Sequence, residues 1–123
     1  MNAVEQYARA QIVTDADAPQ AADRGAVPVT LCYDAERAPR TVTVRMPGPG
    51  NHEWTVPRAL LEEGLRTPVG SGDVRVWPCG RVQTVVEFHS AQGVSVVQFE
   101  TKALTRFLRR TYTAVAATAP VPH

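Results

Sequence analysis

The alternation of apolar and polar positions predicts strands along most of this chain. Residues 41–46 (TVTVRM) show it most clearly, because apolar side chains occupy every second position and polar ones occupy the rest. Residues 4–13 alternate more weakly and predict a half-buried first strand with Ile12 facing inward. Runs of β-branched and aromatic residues extend the pattern. The predicted strands cover 4–13, 27–33, 41–46, a short stretch through Trp54, 73–78, 82–89 and 94–100.

Proline, glycine and polar residues mark the connections between these strands. Residues 14–26 are polar and contain both proline and glycine, which predicts a loop after the first strand. Residues 47–50 (PGPG) and 70–72 (GSG) predict tight turns. Residues 90–93 have the length and composition of a hairpin loop, so the last two strands should pair antiparallel. Pro28 has no amide donor and is expected at a strand start or an edge.

A short helix is predicted at 57–65. Proline is preorganised for the first helical position, so Pro57 would begin the helix with Thr55 or Val56 as its cap. Gly64 would end it by adopting the left-handed conformation. A helix of this length is marginal alone in water, so its leucines must pack on the sheet. These leucines are Leu60, Leu61 and Leu65.

A second helix is predicted to begin at Thr101, which can serve as its N-cap. Its apolar residues recur at helical spacing, and its cations lie on the opposite face. From Ala116 onward, two prolines favour a tail that frays into solvent. The apolar positions are Leu104, Phe107 and Leu108, and the cations are Lys102, Arg106, Arg109 and Arg110.

The order of these elements favours an α+β fold. About seven mainly antiparallel strands are expected, with helices after the fourth and seventh strands, unlike the regular alternation of a doubly wound α/β protein. A chain of 123 residues and 13.4 kDa suits one domain. We therefore expect a single domain at 1–115 and a flexible, proline-containing tail at 116–123.

Composition favours a folded domain without an overall electrostatic preference. Hydrophobic residues make up 44% and charged residues 20% of the chain, which is enough apolar surface to form a core. The 13 lysines and arginines against 12 acidic residues leave a net charge of +1. That balance gives no global attraction to nucleic acid or anionic lipid, so any basic patch must be local.

The sequence predicts a cytoplasmic protein. Its two cysteines, Cys32 and Cys79, are too few and too far apart for a disulfide framework, which fits a reducing compartment. Charged and amide side chains interrupt residues 1–10, so no signal-peptide core is present there. The longest apolar runs fall well short of the roughly 20 residues that cross a bilayer, so no transmembrane segment is expected.

No residue pattern points to catalysis. His52, His89 and His123 lie near turns or in the tail, and none belongs to a recognisable catalytic motif. The adjacent carboxylates Glu62 and Glu63 would point about 100° apart on a helix and could not form an acid–base pair. We interpret the histidines as solvated loop residues and expect no enzymatic activity.

A zinc site is not favoured either. Cys32, Cys79, His52 and His89 supply four potential ligands, but structural zinc sites usually take ligands in close pairs such as CxxC. The two cysteines are more simply interpreted as small buried or half-buried hydrophobic residues. We therefore expect no metal and no cofactor.

Three arginines on the predicted last helix form a candidate binding patch. Arg106, Arg109 and Arg110 lie within about one turn of each other, away from the apolar face. They could contact phosphate or an acidic partner. They could also form a solvated basic face near a helix C-terminus, where the helix dipole favours cations. The residues themselves leave both interpretations open.

Three longer motifs resemble the SsgA-like proteins of sporulating actinobacteria. They are 54–65 (WTVPRALLEEGL), 68–78 (PVGSGDVRVWP) and 107–111 (FLRRT), in the order and at the separations seen in that family. Residues 31–34 (LCYD) fit its early L-x-Y-D motif. The resemblance spans roughly residues 4–115, nearly the whole predicted domain.

The resemblance implies a non-enzymatic regulator of sporulation-specific cell division. Such proteins help to localise the tubulin-like ring protein FtsZ and the septal peptidoglycan machinery, which places them in the cytoplasm at the division septum. The resemblance also implies a barrel-like pair of sheets with two helices, assembled as a homotrimer. That subunit looks like the Whirly fold of single-stranded nucleic-acid-binding proteins, although a shared fold does not carry function.

Protein binding would depend on exposed anchors. Trp54 and Trp77 are candidates because tryptophan is enriched at interface hot spots, and either could instead pack inside the domain. Arg75 and the three arginines of the last helix are candidates for contacts with acidic partner surfaces. A trimer would present each patch three times and would gain avidity toward a polymeric partner.

Two other classes of function remain as alternatives. A single-stranded nucleic-acid binder with a Whirly-like fold would need a basic groove with exposed aromatic side chains. The net charge of +1 and the total of eight Trp, Tyr and Phe residues argue against it. A cell-wall hydrolase is disfavoured because the chain shows neither an acid–base pair nor an export signal.

Overall fold

Eight strands and two helices make up the described part of the chain, which comprises residues 3–14, 25–47 and 53–118 of a computed structural model. All eight strands belong to one sheet, and every pairing between them is antiparallel. The sheet curls into a half-barrel around the hydrophobic core. The α+β class expected from the sequence is confirmed.

The first four strands form a meander in which each strand pairs with the one before it. Ile12 on the first strand faces the core, as predicted. Pro28 lies near the start of the second strand and outside the segment that pairs with the third, where a missing amide donor is tolerated. The strands are β1 (Ala3–Thr14), β2 (Ala26–Asp34), β3 (Thr41–Arg45) and β4 (Glu53–Pro57).

The last four strands form a second meander. They are β5 (Val69–Ser71), β6 (Val74–Cys79), β7 (Gln83–Ser90) and β8 (Gly93–Glu100). The hairpin between β7 and β8 was predicted, and these strands pair antiparallel. Strand β8 also pairs with β1, so the two meanders join into one sheet with the order β4-β3-β2-β1-β8-β7-β6-β5.

The strand count and the arrangement of the sheet differ from the expectation of about seven strands in a pair of sheets. The additional strand is β5, whose three residues include Gly70 and carry no alternating pattern, so the sequence predicted only a turn there. Gly72 does occupy a turn, between β5 and β6, with a φ of 57°. One continuous sheet replaces the expected pair because β1 and β8 hydrogen-bond along their edges.

The first helix, α1 (Arg58–Gly64), begins without a side-chain cap. Pro57 itself is the N-cap residue, with φ −57° and ψ 131°. Neither Thr55 nor Val56 therefore has the predicted capping role, since both belong to β4. Leu61 is buried in the core, and Leu60 and Leu65 pack against it, so the helix does gain its stability from the sheet.

Gly64 has a different role from the predicted one. The helix ends through Leu65 in the right-handed region, with φ −67°, and Gly64 is absent from the glycines of positive φ among the described residues. A Cβ atom on Gly64 would lie 2.2 Å from Cγ1 of Val76 on β6. Glycine is required here because the helix and the strand approach each other closely.

The second helix, α2 (Thr101–Thr118), packs on β1 and β8 through Leu104, Phe107 and Leu108. It begins at Thr101, as predicted. The Thr101 hydroxyl, which was predicted to cap the helix, forms a 2.8 Å hydrogen bond with the hydroxyl of Thr84 on β7. The helix continues to Thr118, beyond the predicted start of the tail at residue 116.

Some predicted features lie outside the described residues. They include most of the loop at 14–26, most of the turn at 47–50, His52, and the end of the chain from 119 to His123. Within the described residues, no helix combines the length and the apolar character that crossing a bilayer requires.

Candidate partner-binding surfaces

Arg75 and Trp77 lie on the outer face of the sheet, which we define as the face opposite the core and both helices. Along β6, Val74 and Val76 point into the core, so the alternate residues Arg75 and Trp77 point the other way. Arg75 is exposed and Trp77 is half-buried. Two of the residues predicted to bind a partner thus share one surface.

Trp77 lies beside a valine that is covered on this same face. Val85 is opposite Trp77 in the pairing of β6 with β7. Its side chain is only 5% exposed, although it does not belong to the core cluster, so neighbouring outer-face side chains must cover it. On the next strand Gln98 is opposite Val85, and the Gln98 amide donates to Gln83. We call Arg75, Trp77 and Val85 the Trp77 patch.

A carboxylate and an imidazole border the Trp77 patch. Glu87 is directly opposite Arg75 across the two strands. Nε2 of His89 lies 2.7 Å from Oε1 of Glu87 without hydrogen-bond geometry, so the contact is an ion pair only when the ring is protonated. Among the described residues, no three His, Cys, Asp or Glu side chains gather where they could hold a metal, so Cys32 and Cys79 do not join His89.

The two cysteines are free thiols in different environments. Cys79 is exposed at the end of β6, whereas Cys32 is half-buried on β2. Burial raises the pKa of the Cys32 thiol, and the opposing effect of the nearby Arg45 guanidinium is smaller. The Cys32 thiolate is therefore less populated than in an ordinary cysteine.

Trp54 occupies a different place from Trp77. It lies on the core side of β4, opposite Val44, and it packs against the core cluster. Its ring stacks on that of Phe88 from β7, with centroids 4.7 Å apart and planes 19° from parallel. Trp54 therefore packs inside the protein, which was one of the two alternatives that the sequence left open for it.

A groove of about 710 Å³ opens between the β6–β7 turn and the first half of α2. Arg106 and Arg109 line it together with a third cation of the same helix and a fourth from the turn. We call it the basic groove, and we define it by Arg81, Val82, Glu100, Lys102, Arg106 and Arg109.

Arg110 is separated from the other two predicted arginines. Its Nη1 donates to the backbone oxygen of Glu5 and to Oε1 of Gln6, each at 3.3 Å. Nε2 of Gln6 in turn donates to the Ala103 carbonyl at 3.0 Å. Arg110 therefore fastens α2 to β1, and only Arg106 and Arg109 of the predicted trio face the groove.

The helix dipole does not account for the cations of the groove. From the sequence, a solvated basic face near a helix C-terminus was one interpretation of Arg106 and Arg109. Both residues instead lie in the first half of an 18-residue helix. The favourable interaction of cations with a helix falls off within its last turn, so these two side chains gain little from it.

A second cluster, centred on Arg58, ties the two helices to the sheet. The Arg58 guanidinium lies 4.1 Å from the ring centroid of Tyr112 and 5.4 Å from that of Tyr33. The Tyr33 hydroxyl accepts from Arg58 at 3.2 Å and donates to the Pro39 carbonyl at 2.8 Å. The Tyr112 hydroxyl donates to the Glu62 carboxylate; this bond above all, with burial and the charge of Glu62, raises the pKa of Tyr112.

Sequence reasoning missed the residues that complete the two surfaces. Val85 resembles any other apolar strand residue, and only its register opposite Trp77 places it on the outer face. Arg81 follows a glycine turn, and nothing local indicates that it will lie across a groove from Arg106. Lys102 could be assigned to the basic face of the last helix from the sequence, but the residues from outside that helix that line the groove with it could not.

Residues 27–119 match the family described as "Streptomyces sporulation and cell division protein, SsgA". The chain belongs to the SsgA family. The match covers the second strand through the end of α2, so it includes both the Trp77 patch and the basic groove. The resemblance seen in the three sequence motifs is thereby confirmed.

Curated relatives in the SsgA family carry the name "Sporulation-specific cell division protein SsgB". The protein from Streptomyces coelicolor is 42% identical over 66 residues, which is 51% of this chain and 48% of that protein. The protein from Kineococcus radiotolerans is 36% identical over 89 residues, which is 68% of this chain and 54% of that protein. The chain thus spans about half the length of these relatives.

Solved structures of the SsgA family share this fold. One, described as "Mutations in SsgB correlate to longitudinal cell division during sporulation of Streptomyces coelicolor", gives a TM-score of 0.72 at 29% identity and covers 92% of this chain and 88% of its own. An SsgA-like sporulation-specific cell division protein from Thermobifida fusca gives a TM-score of 0.72 at 27% identity, covering 94% and 84%.

Proposed function

We propose that this SsgA-family chain is a non-enzymatic adaptor in sporulation-specific cell division. It binds FtsZ or another component of the septal machinery and helps to place it at the division septum from the cytoplasm. Membership of the SsgA family and the names of the SsgB relatives support the cell-division role. The adaptor role is supported by surfaces that suit the binding of a macromolecule.

The Trp77 patch is the observation that carries this proposal. A half-buried tryptophan beside a covered valine is an apolar centre on a face that neither helix covers. Arg75 and Glu87 supply charged groups at its border. An apolar, aromatic centre with a polar rim is the arrangement found in protein–protein hot spots.

We further propose that the protein works as a homotrimer. Three copies of the Trp77 patch would bind a polymer such as an FtsZ filament with avidity, so each single contact could be weak. Light scattering of the purified chain should then give three times the 13.4 kDa mass of one chain. A monomeric mass would remove the avidity argument.

Co-sedimentation with FtsZ polymers tests the adaptor role. The wild-type chain should pellet with FtsZ assembled with GTP, and Trp77→Ala should weaken this binding by about tenfold or more, as loss of a hot-spot residue does. Tyr7→Ala is the matched control, because Tyr7 is an exposed aromatic residue of β1, two strands away from the patch edge on β7. It should leave binding unchanged.

A second readout is the position of the protein in sporulating cells. A fluorescent fusion of the wild-type chain should gather at septa, and the Trp77→Ala fusion should not. A uniformly distributed wild-type fusion, together with no pelleting on FtsZ and none on other purified septal proteins, would contradict the proposed function.

A further inference from the structure

The basic groove gathers charge from two parts of the chain that are distant in sequence. Arg81 lies in the turn after β6, and Lys102, Arg106 and Arg109 lie on α2. Glu100 is the single carboxylate among the described residues that line the groove. Four cationic side chains thus meet one anionic side chain around the same opening.

Local stability does not explain this concentration of positive charge. The N-terminal end of a helix is the positive end of its dipole and disfavours cations. Lys102 nevertheless occupies the first turn of α2, which contains no acidic residue, and Glu100 just before the helix is the one carboxylate among the described residues that line the groove with it. Neither of the ion pairs formed within the described ranges involves a groove cation. An anionic ligand would relieve both the repulsion among the cations and the unfavourable dipole interaction.

The walls of the groove are fixed to each other by hydrogen bonds. The backbone N–H of Thr101 donates to the Val82 carbonyl at 2.8 Å, which joins the start of α2 to the β6–β7 turn. The hydroxyls of Thr84 and Thr101 are hydrogen-bonded at 2.8 Å, and Thr84 is fully buried. The groove is therefore largely preformed, which lowers the entropy lost when a ligand binds.

The spacing of the helix cations suits an extended polypeptide. Lys102, Arg106 and Arg109 follow one another by about one helical turn, or about 5 Å along the axis. Alternate residues of an extended chain project to the same side at intervals of about 7 Å. The long, flexible cationic side chains span this difference, so acidic residues at alternate positions could each meet one cation.

Val82 adds an apolar contact to this charged groove. Its side chain is 69% exposed, although it belongs to one of the groove walls. An apolar side chain of a ligand could bury it. We propose that the basic groove binds an extended acidic segment of a partner protein, with acidic residues at alternate positions and one apolar residue against Val82.

Nucleic acid fits the same groove less well. Binding of single strands relies on aromatic side chains on which bases stack, and no aromatic residue is found among the described lining residues. The carboxylate of Glu100 would repel a phosphate backbone, whereas a peptide can place a neutral residue opposite it. The charge and the chemistry of the lining thus favour an acidic peptide.

The groove goes beyond the proposed adaptor function. It lies beside α2, whereas the Trp77 patch lies on the outer face of β6 and β7. Peptide binding to the groove can therefore be measured without FtsZ. Failure of one proposal would leave the other standing.

Fluorescence anisotropy on the full chain tests the groove directly. The probe is a labelled peptide of about ten residues that alternates glutamate with serine and carries one central leucine. The wild-type chain should bind it, with affinity falling as salt rises. The double variant Arg106→Glu, Arg109→Glu should lower the affinity by about tenfold or more, since it reverses two contacts. Arg81→Glu with Lys102→Glu should do the same from different elements, should the first variant fail to fold.

Matched variants separate a specific site from general charge. Arg37→Glu with Arg40→Glu makes the same change in net charge at exposed positions of the β2–β3 turn and should leave the affinity within about twofold of wild type. Val82→Ser should weaken the leucine peptide but leave a peptide with serine in place of leucine unaffected.

Three outcomes would overturn the groove proposal. The first is no binding of the acidic peptide by the wild-type chain. The second is an equal loss of affinity in the groove variants and in the variant of the β2–β3 turn. The third is tighter binding of a single-stranded oligothymidine that the groove variants abolish, which would assign the groove to nucleic acid.

Discussion

The ring of Trp54 stacks on the ring of Phe88 at a centroid distance of 4.7 Å, although four strands lie between their own strands in the sheet. Neighbouring strands are about 4.8 Å apart, so a flat sheet with these four intervening strands would hold the two rings more than about 20 Å apart. The contact therefore requires the sheet to curl until its first and second meanders face each other. The stacked rings of Trp54 and Phe88 thus connect the two meanders across the core.

Replacement of Trp54 should destabilise the domain strongly. Trp54→Ala should lower the free energy of unfolding by about 3 kcal/mol, near the lower end for aromatic truncations because the side chain is half-buried. Urea denaturation measures the loss. Trp77→Ala is the control and should cost no more than about 1 kcal/mol, since Trp77 lies outside the core. Equal losses in the two variants would contradict the different placements of the tryptophans.

Gly64→Ala should destabilise the protein although alanine favours helices. The new Cβ would lie 2.2 Å from Cγ1 and 2.4 Å from Cβ of Val76, and 3.2 Å from the backbone carbon of that residue, so α1 would have to move away from β6. Because two of these distances are far below van der Waals contact, the clash should cost about 2–3 kcal/mol, which exceeds the roughly 1 kcal/mol that alanine gains in helix propensity.

The opposite exchange in the same helix provides the control. Ala59 is exposed on α1, so Ala59→Gly should lose only about 1 kcal/mol through helix propensity. Thermal or urea denaturation compares the two variants. A gain of stability in Gly64→Ala would show that the helix does not press on Val76.

The stability of the protein should fall at alkaline pH through Tyr112. Its hydrogen bond to Glu62 raises the pKa of Tyr112 in the folded state, together with burial and the charge of Glu62. The folded state thus holds the phenol proton more tightly than the unfolded state does. The stabilisation is fully present below the unfolded pKa and is lost as the pH rises through the folded pKa.

Tyr112→Phe should remove this part of the pH dependence and leave the alkaline limb of the stability curve flatter. Urea midpoints measured from neutral to strongly alkaline pH would show the difference between the two proteins. Glu62→Gln should bring the Tyr112 titration, followed by tyrosinate absorbance, back toward its ordinary range. Identical curves for wild type and Tyr112→Phe would mean that the bond to Glu62 does not couple to folding.

The two thiols should react with iodoacetamide at different rates. Cys79 is exposed, whereas Cys32 is half-buried and its pKa is raised by burial, so it has less of the reactive thiolate. Mass spectrometry should find the first label on Cys79. In Cys79→Ser the native chain should label slowly, and denaturation should make Cys32 fully reactive. Rapid labelling of native Cys79→Ser would contradict the placement of Cys32.

Alternation predicts those strands well whose two faces differ. The segments 41–46 and 94–100 were predicted almost to their ends, because one face of β3 and of β8 is buried and the other is not. The strand β5 was missed because three residues with a glycine at the centre carry no period. The short helix was predicted from the sequence, because Pro57 and the leucines that follow it are close together along the chain and signal a helix by themselves.

Contacts between distant segments could not be predicted in the same way. Glycine is needed at position 64 because Val76 on the neighbouring strand leaves no room for a Cβ atom. Local sequence rules predicted only that Gly64 would end the helix in the left-handed conformation. Likewise, Arg106 and Arg109 line the groove while Arg110 bonds to β1, and this difference depends on which side of α2 faces β1. The candidate residues were visible in the sequence, but their grouping into a patch and a groove required the fold.

The pairing of β1 with β8 has a consequence for synthesis of the protein. Of the eight described strands, β1 leaves the ribosome first, and it lies in the middle of the finished sheet, where Ala10 is opposite Phe99. Until β8 emerges, the nascent first meander exposes one edge of β1, with unpaired amides and carbonyls that invite intermolecular pairing. The sheet therefore closes only after β8 has been synthesised, and this long-range closure should be the slow step of folding.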